Sequence, residues 1–183
     1  MYNLRAEYKE TGVGLNKCPL CRKSLLNLSG AEVAHLMALA ARGVAWAQTF
    51  VGSHMIEGIE GFEKQEKTGL DWLNKAAAQN HPRALYILST LYRTGLASVL
   101  RKSQEEANNL LLKSANLGYA LANSSLAQSF FYGNRGFDRD QEEAYYRASV
   151  AYAINDSDKK AAYLLGLFHR DRDVSESSAY LAC

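Results

Sequence analysis

The sequence predicts an all-α protein, a right-handed solenoid built from helical hairpins. Three features of the chain support this fold. A pattern of alanine, leucine, a small residue and a large ring recurs with a period of about 38 residues. The chain is rich in alanine and has only two prolines, Pro19 and Pro82, so its helices meet few interruptions. Residues that tolerate a left-handed backbone also recur at regular intervals.

The first half of the repeating unit is clearest in the segment 84–95. It places Ala84, Leu88, Ser89, Tyr92 and Gly95 at fixed offsets. Ala84, Leu88 and Tyr92 lie four residues apart and therefore share one face of a helix. They predict the buried side of that helix, which we call helix A. The other copies are Ala47, Val51, Gly52, Met55 and Gly58; Ala122, Leu126, Ala127, Phe130 and Gly133; and Ala161, Leu165, Gly166, His169 and Arg172. The fourth copy thus lacks the final glycine.

The second half of the unit predicts another helix, called helix B, and then a tight turn. Segments 72–77 and 110–115 align, and alanines fall in register at Ala40, Ala77, Ala115 and Ala153. Three residues after each alanine come residues suited to the left-handed conformation that ends a helix: Gly43, Asn80, Gly118 and Asp156. The predicted helices are 31–42, 45–57, 66–79, 83–94, 103–117, 120–132, 140–154 and 159–170, with a weaker one at 175–182.

This pattern resembles Sel1-like repeats, relatives of the tetratricopeptide repeat with a slightly longer unit. The family pattern is A-x-x-x-L-G-x-x-Y-x-x-G, a loop, and K-A-x-x-W-x-x-K-A-A-x-x-G, which residues 58–62 and 71–77 follow well. Two departures are Gly69, where the family has alanine, and the loop after Gly95, which lacks a second glycine. The resemblance covers about residues 31–173 and implies a solenoid that binds proteins.

The repeat register divides the chain into three parts. We expect a largely irregular leader at 1–30, a solenoid at 31–173 and a C-terminal cap or tail at 174–183. The solenoid is expected to contain a half unit, three repeats and a partial repeat, at 31–44, 47–83, 84–121, 122–160 and 161–173. The alternative is a helical bundle without repeats. It is disfavoured because chance seldom keeps small residues in register across several copies.

The leader contains the string Cys18-Pro19-Leu20-Cys21-Arg22. A Cys-x-x-Cys turn directs two thiolates at one metal ion. The string resembles the last ligand pair of a RING finger, and the order of segments resembles RING–Sel1 proteins of diatoms and other algae. That resemblance implies zinc at Cys18 and Cys21 and, in a full-length parent, a ubiquitin-conjugating enzyme as partner. Residues 1–17 contain no cysteine or histidine, so the other RING ligands are missing.

We therefore interpret the motif as a RING remnant and expect no cofactor, with zinc bound only if the missing ligands are supplied. Two alternatives are half of a zinc site that another chain completes, and a chance or redox-active pair. A thioredoxin-like pair needs a strand before the motif and a helix directly after it. Residues 15–17 and 25–30 suit neither element.

Composition and charge exclude several classes of function. The net charge is +2 with both signs interspersed, which predicts no nucleic-acid partner. No apolar stretch reaches the ~20 residues that span a bilayer, which predicts no membrane partner. The N-terminus has no apolar signal region, and three cysteines with one close pair do not form a secreted disulfide framework. We expect a location in the cytoplasm or the nucleus.

The sequence predicts a protein–protein interaction scaffold and no enzyme. It contains no serine-protease triad pattern, phosphate-binding glycine loop or zinc-protease motif. A solenoid instead offers a long concave face to a protein partner. The predicted contact residues lie between the core positions of helix A: Thr49, Ser53, Tyr86, Arg93, Ser124 and Gln128. The alternative is the substrate-binding part of a RING-type ubiquitin ligase whose RING is truncated in this chain.

Overall fold

The computed structural model describes the backbone of residues 28–97 and 99–180, and side chains up to residue 170 within those ranges. This part of the chain forms eight helices and no strand. They are α1 (Gly30–Ala41), α2 (Ala45–Glu57), α3 (Glu66–Ala78), α4 (Pro82–Thr94), α5 (Gln104–Asn116), α6 (Ala120–Tyr132), α7 (Gln141–Ile154) and α8 (Lys159–Tyr180). The all-α class is confirmed, and the first seven helices match their predicted bounds to within one residue. Cys18 and Cys21 lie outside the described residues.

The helices pack as a row of hairpins. Helices α2, α4 and α6 are A helices, and each packs most extensively on the B helix that follows it, α3, α5 or α7. Helix α1 supplies a leading B helix, and α8 packs on α7. Helix α2 also contacts α4, and α6 contacts α8, and both pairs consist of A helices. Because the inner helices of a curved stack approach one another, the A helices line the concave side of the solenoid.

The repeat alanines mark the centre of this packing. Ala47, Ala84, Ala122 and Ala161 are each 0% exposed, so the predicted helix A register is confirmed. Larger apolar residues surround them and form a continuous series of buried clusters along the stack. An alanine at this position lets a neighbouring helix pack closely against helix A.

Helices α2 and α3 cross with their backbones in contact. A Cβ atom on Gly69 would lie 2.6 Å from the carbonyl oxygen of Gly52, and one on Gly52 would lie 2.7 Å from that of Gly69. This contact explains why Gly69 departs from the family's alanine. Small, buried residues also occupy the equivalent positions of the next two hairpins: Ser89, Ala107, Ala127 and Ala144.

The loops from helix A to helix B close in a repeated way. A glycine with positive φ follows α2, α4 and α6, with φ of 71° at Gly58, 80° at Gly95 and 61° at Gly133. The residue before each B helix then donates its backbone N–H to the carbonyl of the ring position, the residue eight after the repeat alanine. These bonds are Gln65 to Met55 at 2.7 Å, Ser103 to Tyr92 at 2.9 Å and Asp140 to Phe130 at 3.0 Å. The ring position therefore anchors the loop through its backbone as well as the core through its side chain.

The turns after helix B confirm three predicted positions and correct the fourth. Gly43, Asn80 and Gly118 have positive φ, as expected. Asp156 does not, because α7 ends at Ile154 and Asn155 is extended, with φ of −141°. This connection is one residue longer than the other three. The four alanines that align in the sequence also differ in burial: Ala40 and Ala115 are buried, Ala77 is half-buried and Ala153 is exposed.

The last helix also differs from the prediction. The sequence predicts an end near residue 170 and a separate helix at 175–182, but α8 continues to Tyr180. Glycine ends α2 and α6 in the left-handed region, whereas the fourth copy has Arg172. A side chain disfavours that conformation, so nothing local ends the helix there. The predicted boundary at 173–174 therefore falls inside a continuous helix.

A buried polar cluster joins consecutive units. The side chain of Asn123 is fully buried and donates from Nδ2 to the carbonyl oxygens of Ala115 at 3.0 Å and Tyr119 at 3.2 Å. Arg147 donates to Oδ1 of Asn123 at 3.3 Å and forms an ion pair with Glu143 at 2.7 Å. The cluster supplies a donor to the carbonyl of Ala115 near the end of α5 and to that of Tyr119 directly before α6, and Arg147 links it to α7.

The Gly52–Gly69 crossing yields a test of the packing. Gly69→Ala should lower the free energy of unfolding by about 1–3 kcal/mol, because the added methyl group meets a backbone oxygen that cannot move aside. The matched control is Gly166→Ala in α8, where a Cβ would meet nothing within 4 Å. That change should be neutral or stabilise by up to about 1 kcal/mol. Urea denaturation measures both, and equal effects at the two sites would contradict the crossing.

Candidate protein-binding face

One side of each A helix remains uncovered by the rest of the solenoid. The accessible positions lie one residue before, six after and ten after the repeat alanine, which places them on one stripe of the helix. They are Trp46, Ser53 and Glu57 in α2; Arg83, Thr90 and Thr94 in α4; and Leu121, Gln128 and Tyr132 in α6. None of the nine is buried. We call these nine residues the open face.

Two of the six predicted contact residues cannot reach a partner. Thr49 is 1% exposed, and Ser124 is 0% exposed. The hydroxyl of Thr49 donates to the carbonyl of Ala45 at 2.9 Å, and its oxygen lies 2.9 Å from Nδ1 of His81, the residue before α4. Ser124 donates to the carbonyl of Leu121 at 3.3 Å. Their assignment to the binding face is wrong because both lie two residues after the repeat alanine, on the side that the next unit covers.

The other four predicted residues lie on or beside the open face. Ser53 and Gln128 belong to it. Tyr86 occupies the same repeat position as Thr49 but is half-buried, and its ring centroid lies 5.3 Å from that of Tyr119, the residue before α6. Arg93 is half-buried at the edge of α4 that faces the next unit. Whether these four bind a partner stays a prediction.

The sequence interpretation missed two basic residues near this face, Arg83 and Arg135. Arg135 lies in the loop between α6 and α7 with a left-handed backbone, φ 56°. Its carbonyl accepts hydrogen bonds from Gln104 at 3.1 Å and Asn108 at 2.9 Å, which hold the loop against α5. Burial, and then the positive charge of Arg93, lower the pKa of Arg135. The two guanidinium groups are therefore close enough to repel each other.

Arg83 lies beside two histidines at the boundary between α2 and α4. Its positive charge contributes to lowering the pKa of both His54 and His81. Its Nη1 atom is buried without a hydrogen-bond partner among the described residues. In that part of the chain, no carboxylate forms an ion pair with Arg83, Arg93 or Arg135. The only signal for Arg83 in the sequence is its position directly before a repeat alanine.

The two histidines are held in a neutral form. Burial, more than any charge, lowers the pKa of His54, and burial with the charge of Arg83 lowers that of His81 to about 4. The ring of His54 stacks on Phe50 at 3.7 Å, and its Nδ1 lies 2.8 Å from the carbonyl oxygen of Phe50. Since a carbonyl only accepts, this nitrogen carries the proton. Both rings thus serve the packing between units.

Neither a metal cluster nor a membrane span is found in the described residues. No group of three or more histidine, cysteine, aspartate or glutamate side chains there could hold a metal ion. None of the helices in this part of the chain combines the length and apolar character needed to cross a bilayer.

The low pKa of His81 predicts a pH-dependent stability. The unfolded chain takes up a proton near pH 6.5, whereas folded His81 resists protonation down to about pH 4. The contribution of neutral His81 to the free energy of unfolding is therefore fully present above pH 6.5. Up to about 3 kcal/mol of it is lost as the pH falls from 6.5 towards 4. Urea denaturation of His81→Gln should show a shallower loss over this range. His35→Gln, at an exposed histidine, should keep the original dependence of the free energy of unfolding on pH. The same pH dependence in both variants would contradict the assignment of this effect to His81.

Comparisons with known proteins agree with this architecture. The Sel1 repeat matches residues 47–81, 82–119 and 120–146. The crystal structure of a Sel1 repeat protein from Oxalobacter formigenes superimposes with a TM-score of 0.63 and 24% identity, covering 73% of this chain and 96% of that one. The structure of c5321, a protective antigen of uropathogenic Escherichia coli strains with an SLR fold, gives a TM-score of 0.58 and 26% identity. That match covers 66% of this chain and 25% of c5321. Because the repeat matches over half of the chain and in the register of the hairpins, the protein belongs to the Sel1 repeat family.

Proposed function

We propose that the protein is an interaction scaffold that binds a protein partner on the open face. The observation that carries this proposal is the periodicity of that face: the same three repeat positions are left uncovered in three consecutive A helices. Because the units repeat, the accessible stripe of one A helix lies beside that of the next, and together they form one surface across three hairpins. An extended segment that crosses the A helices would meet one row of side chains in each unit.

The side chains of the open face suit protein recognition. Trp46 and Leu121 are half-buried, and Tyr132 is 55% exposed. Aromatic residues and arginine are enriched at protein interfaces because they supply a large contact area together with polar groups. Packed hairpins hold these side chains in place, so little ordering is needed when a partner binds.

Site-specific photo-crosslinking tests this proposal. A photoreactive phenylalanine analogue at Gln128 on α6 should form adducts with binding partners in a cell extract. The matched control places the same analogue at Asn109, an exposed position of the B helix α5, and should give none of these adducts. Mass spectrometry of the adducts identifies the partner. Adducts from Asn109 alone, or from neither position, would contradict binding at the open face.

The alternative proposal is that the repeats select substrates for a RING-type ubiquitin ligase. Its support is the motif Cys18-Pro19-Leu20-Cys21-Arg22, which supplies one ligand pair of the kind that zinc binds. The transcript upstream of the codon for Met1 tests it. The ligase proposal expects in-frame cysteine and histidine codons at RING spacing there. If those codons are missing, the ligase proposal is wrong and the scaffold proposal is unaffected.

A further inference from the structure

We propose that the partner segment bound at the middle of the open face is acidic, and that Arg83, Arg93 and Arg135 bind its carboxylates. This inference rests on the proposed scaffold function and specifies the chemistry of the partner. The three arginines belong to different parts of the repeat pattern. Arg83 precedes the repeat alanine of α4, Arg93 lies near the end of that helix, and Arg135 comes from the loop of the next unit.

The three guanidinium groups border one continuous surface. Arg83, Tyr86, Thr90 and Arg93 follow one another by three or four residues, so they share one side of α4. The distance along the helix axis from Arg83 to Arg93 is roughly 15 Å. Hydrogen bonds from Gln104 and Asn108 hold the loop of Arg135 against α5, which packs on α4, and the charge of Arg93 acts on its guanidinium group. An extended peptide rises about 3.3 Å per residue, so a segment that crosses α4 obliquely on its way along the stack would reach both ends with carboxylates four or five residues apart.

Among the described residues, no carboxylate neutralises these three charges. Arg83 is half-buried, and its Nη1 atom has lost water without gaining a protein acceptor. Glu57 lies near enough to raise the pKa of His54, yet it forms no ion pair with Arg83 among the described residues. Part of the desolvation cost of a guanidinium–carboxylate pair is therefore already incurred in the free protein. A bound carboxylate would add charge-assisted hydrogen bonds to groups that are held in place.

A protein segment fits this surface better than a nucleic acid. The three arginines form a short cluster, whereas the net charge of the whole chain is only +2. Nucleic-acid binding depends on many phosphate contacts along a basic field. At the edges of the cluster, Glu57 in α2 and the aromatic ring of Tyr132 in α6 lie on the same face. A segment whose acidic residues face the arginines and whose apolar residues face Tyr132 would suit this surface, whereas the carboxylate of Glu57 would repel acidic residues at the opposite edge.

Fluorescence anisotropy with defined peptides tests the proposal. The probe is a labelled peptide of about 12 alternating glutamate and serine residues, long enough to cross all three units. The matched peptide has glutamine in place of glutamate. The glutamate peptide should bind at least about tenfold more tightly, and added salt should weaken its binding, because charge pairs at a surface are screened.

Variants of the chain locate the binding. Arg83→Gln and Arg93→Gln should each weaken binding of the glutamate peptide about tenfold, the loss expected for one charge-assisted contact. Arg135→Gln should act in the same direction. Arg101→Gln is the matched control, because Arg101 is an exposed arginine in the loop before α5 and outside the open face. Its affinity should equal that of the unmodified chain, and circular dichroism confirms that each variant is folded.

Three outcomes would overturn the proposal. The first is equal binding of the glutamate and glutamine peptides, and the second is glutamate binding that survives Arg83→Gln and Arg93→Gln together. The third is an oligothymidine that binds more tightly than the glutamate peptide with the same dependence on the arginines. In each case, adducts at Gln128 in the crosslinking experiment would show that the scaffold function stands without the acidic preference. Absence of those adducts would instead remove the scaffold function.

Discussion

The close crossing of each A helix with the B helix that follows it is the constraint on which the rest of the structure depends. At Gly52 and Gly69 the two backbones meet, and no side chain fits between them. This approach brings the flanking apolar residues of both helices into one core, including Leu73 at 0% exposure. Because every hairpin crosses at small residues, every hairpin keeps a similar shape, and the A helices come to lie along the same side of the stack.

That arrangement divides each A helix into positions with different roles. The side with the repeat alanine is buried, and the residue two places later meets the residue that precedes the next A helix. Thr49 with His81 and Tyr86 with Tyr119 are two such contacts, one polar and one aromatic. The remaining stripe is left for the open face. Stability and binding therefore depend on different residues of the same helix, so the binding surface can vary while the packing is preserved.

Two arginines likewise differ in whether the fold neutralises their charge. Arg147 donates to Asn123 and to Glu143, and its side chain is only 14% exposed. Its charge is neutralised within the fold, and it ties two units together. Arg83 has one buried nitrogen without a partner and no paired carboxylate among the described residues. A charge in that state contributes little to holding the units together, and a bound anion would compensate it.

The sequence by itself determined the period, the bounds of the first seven helices and the left-handed turns at Gly43, Asn80 and Gly118, because each follows from local backbone preferences and helix periodicity. The burial of Ser124 was decided by the tertiary structure, since the next unit covers it. Tertiary structure likewise brought the loop of Arg135 against Gln104 and Asn108 of α5, although 31 and 27 positions separate them in sequence. Spacing along one helix does not encode what a neighbouring hairpin covers or which distant loop reaches its edge. The repeat could therefore be predicted from the sequence, whereas the residues of its open face depended on how consecutive units pack.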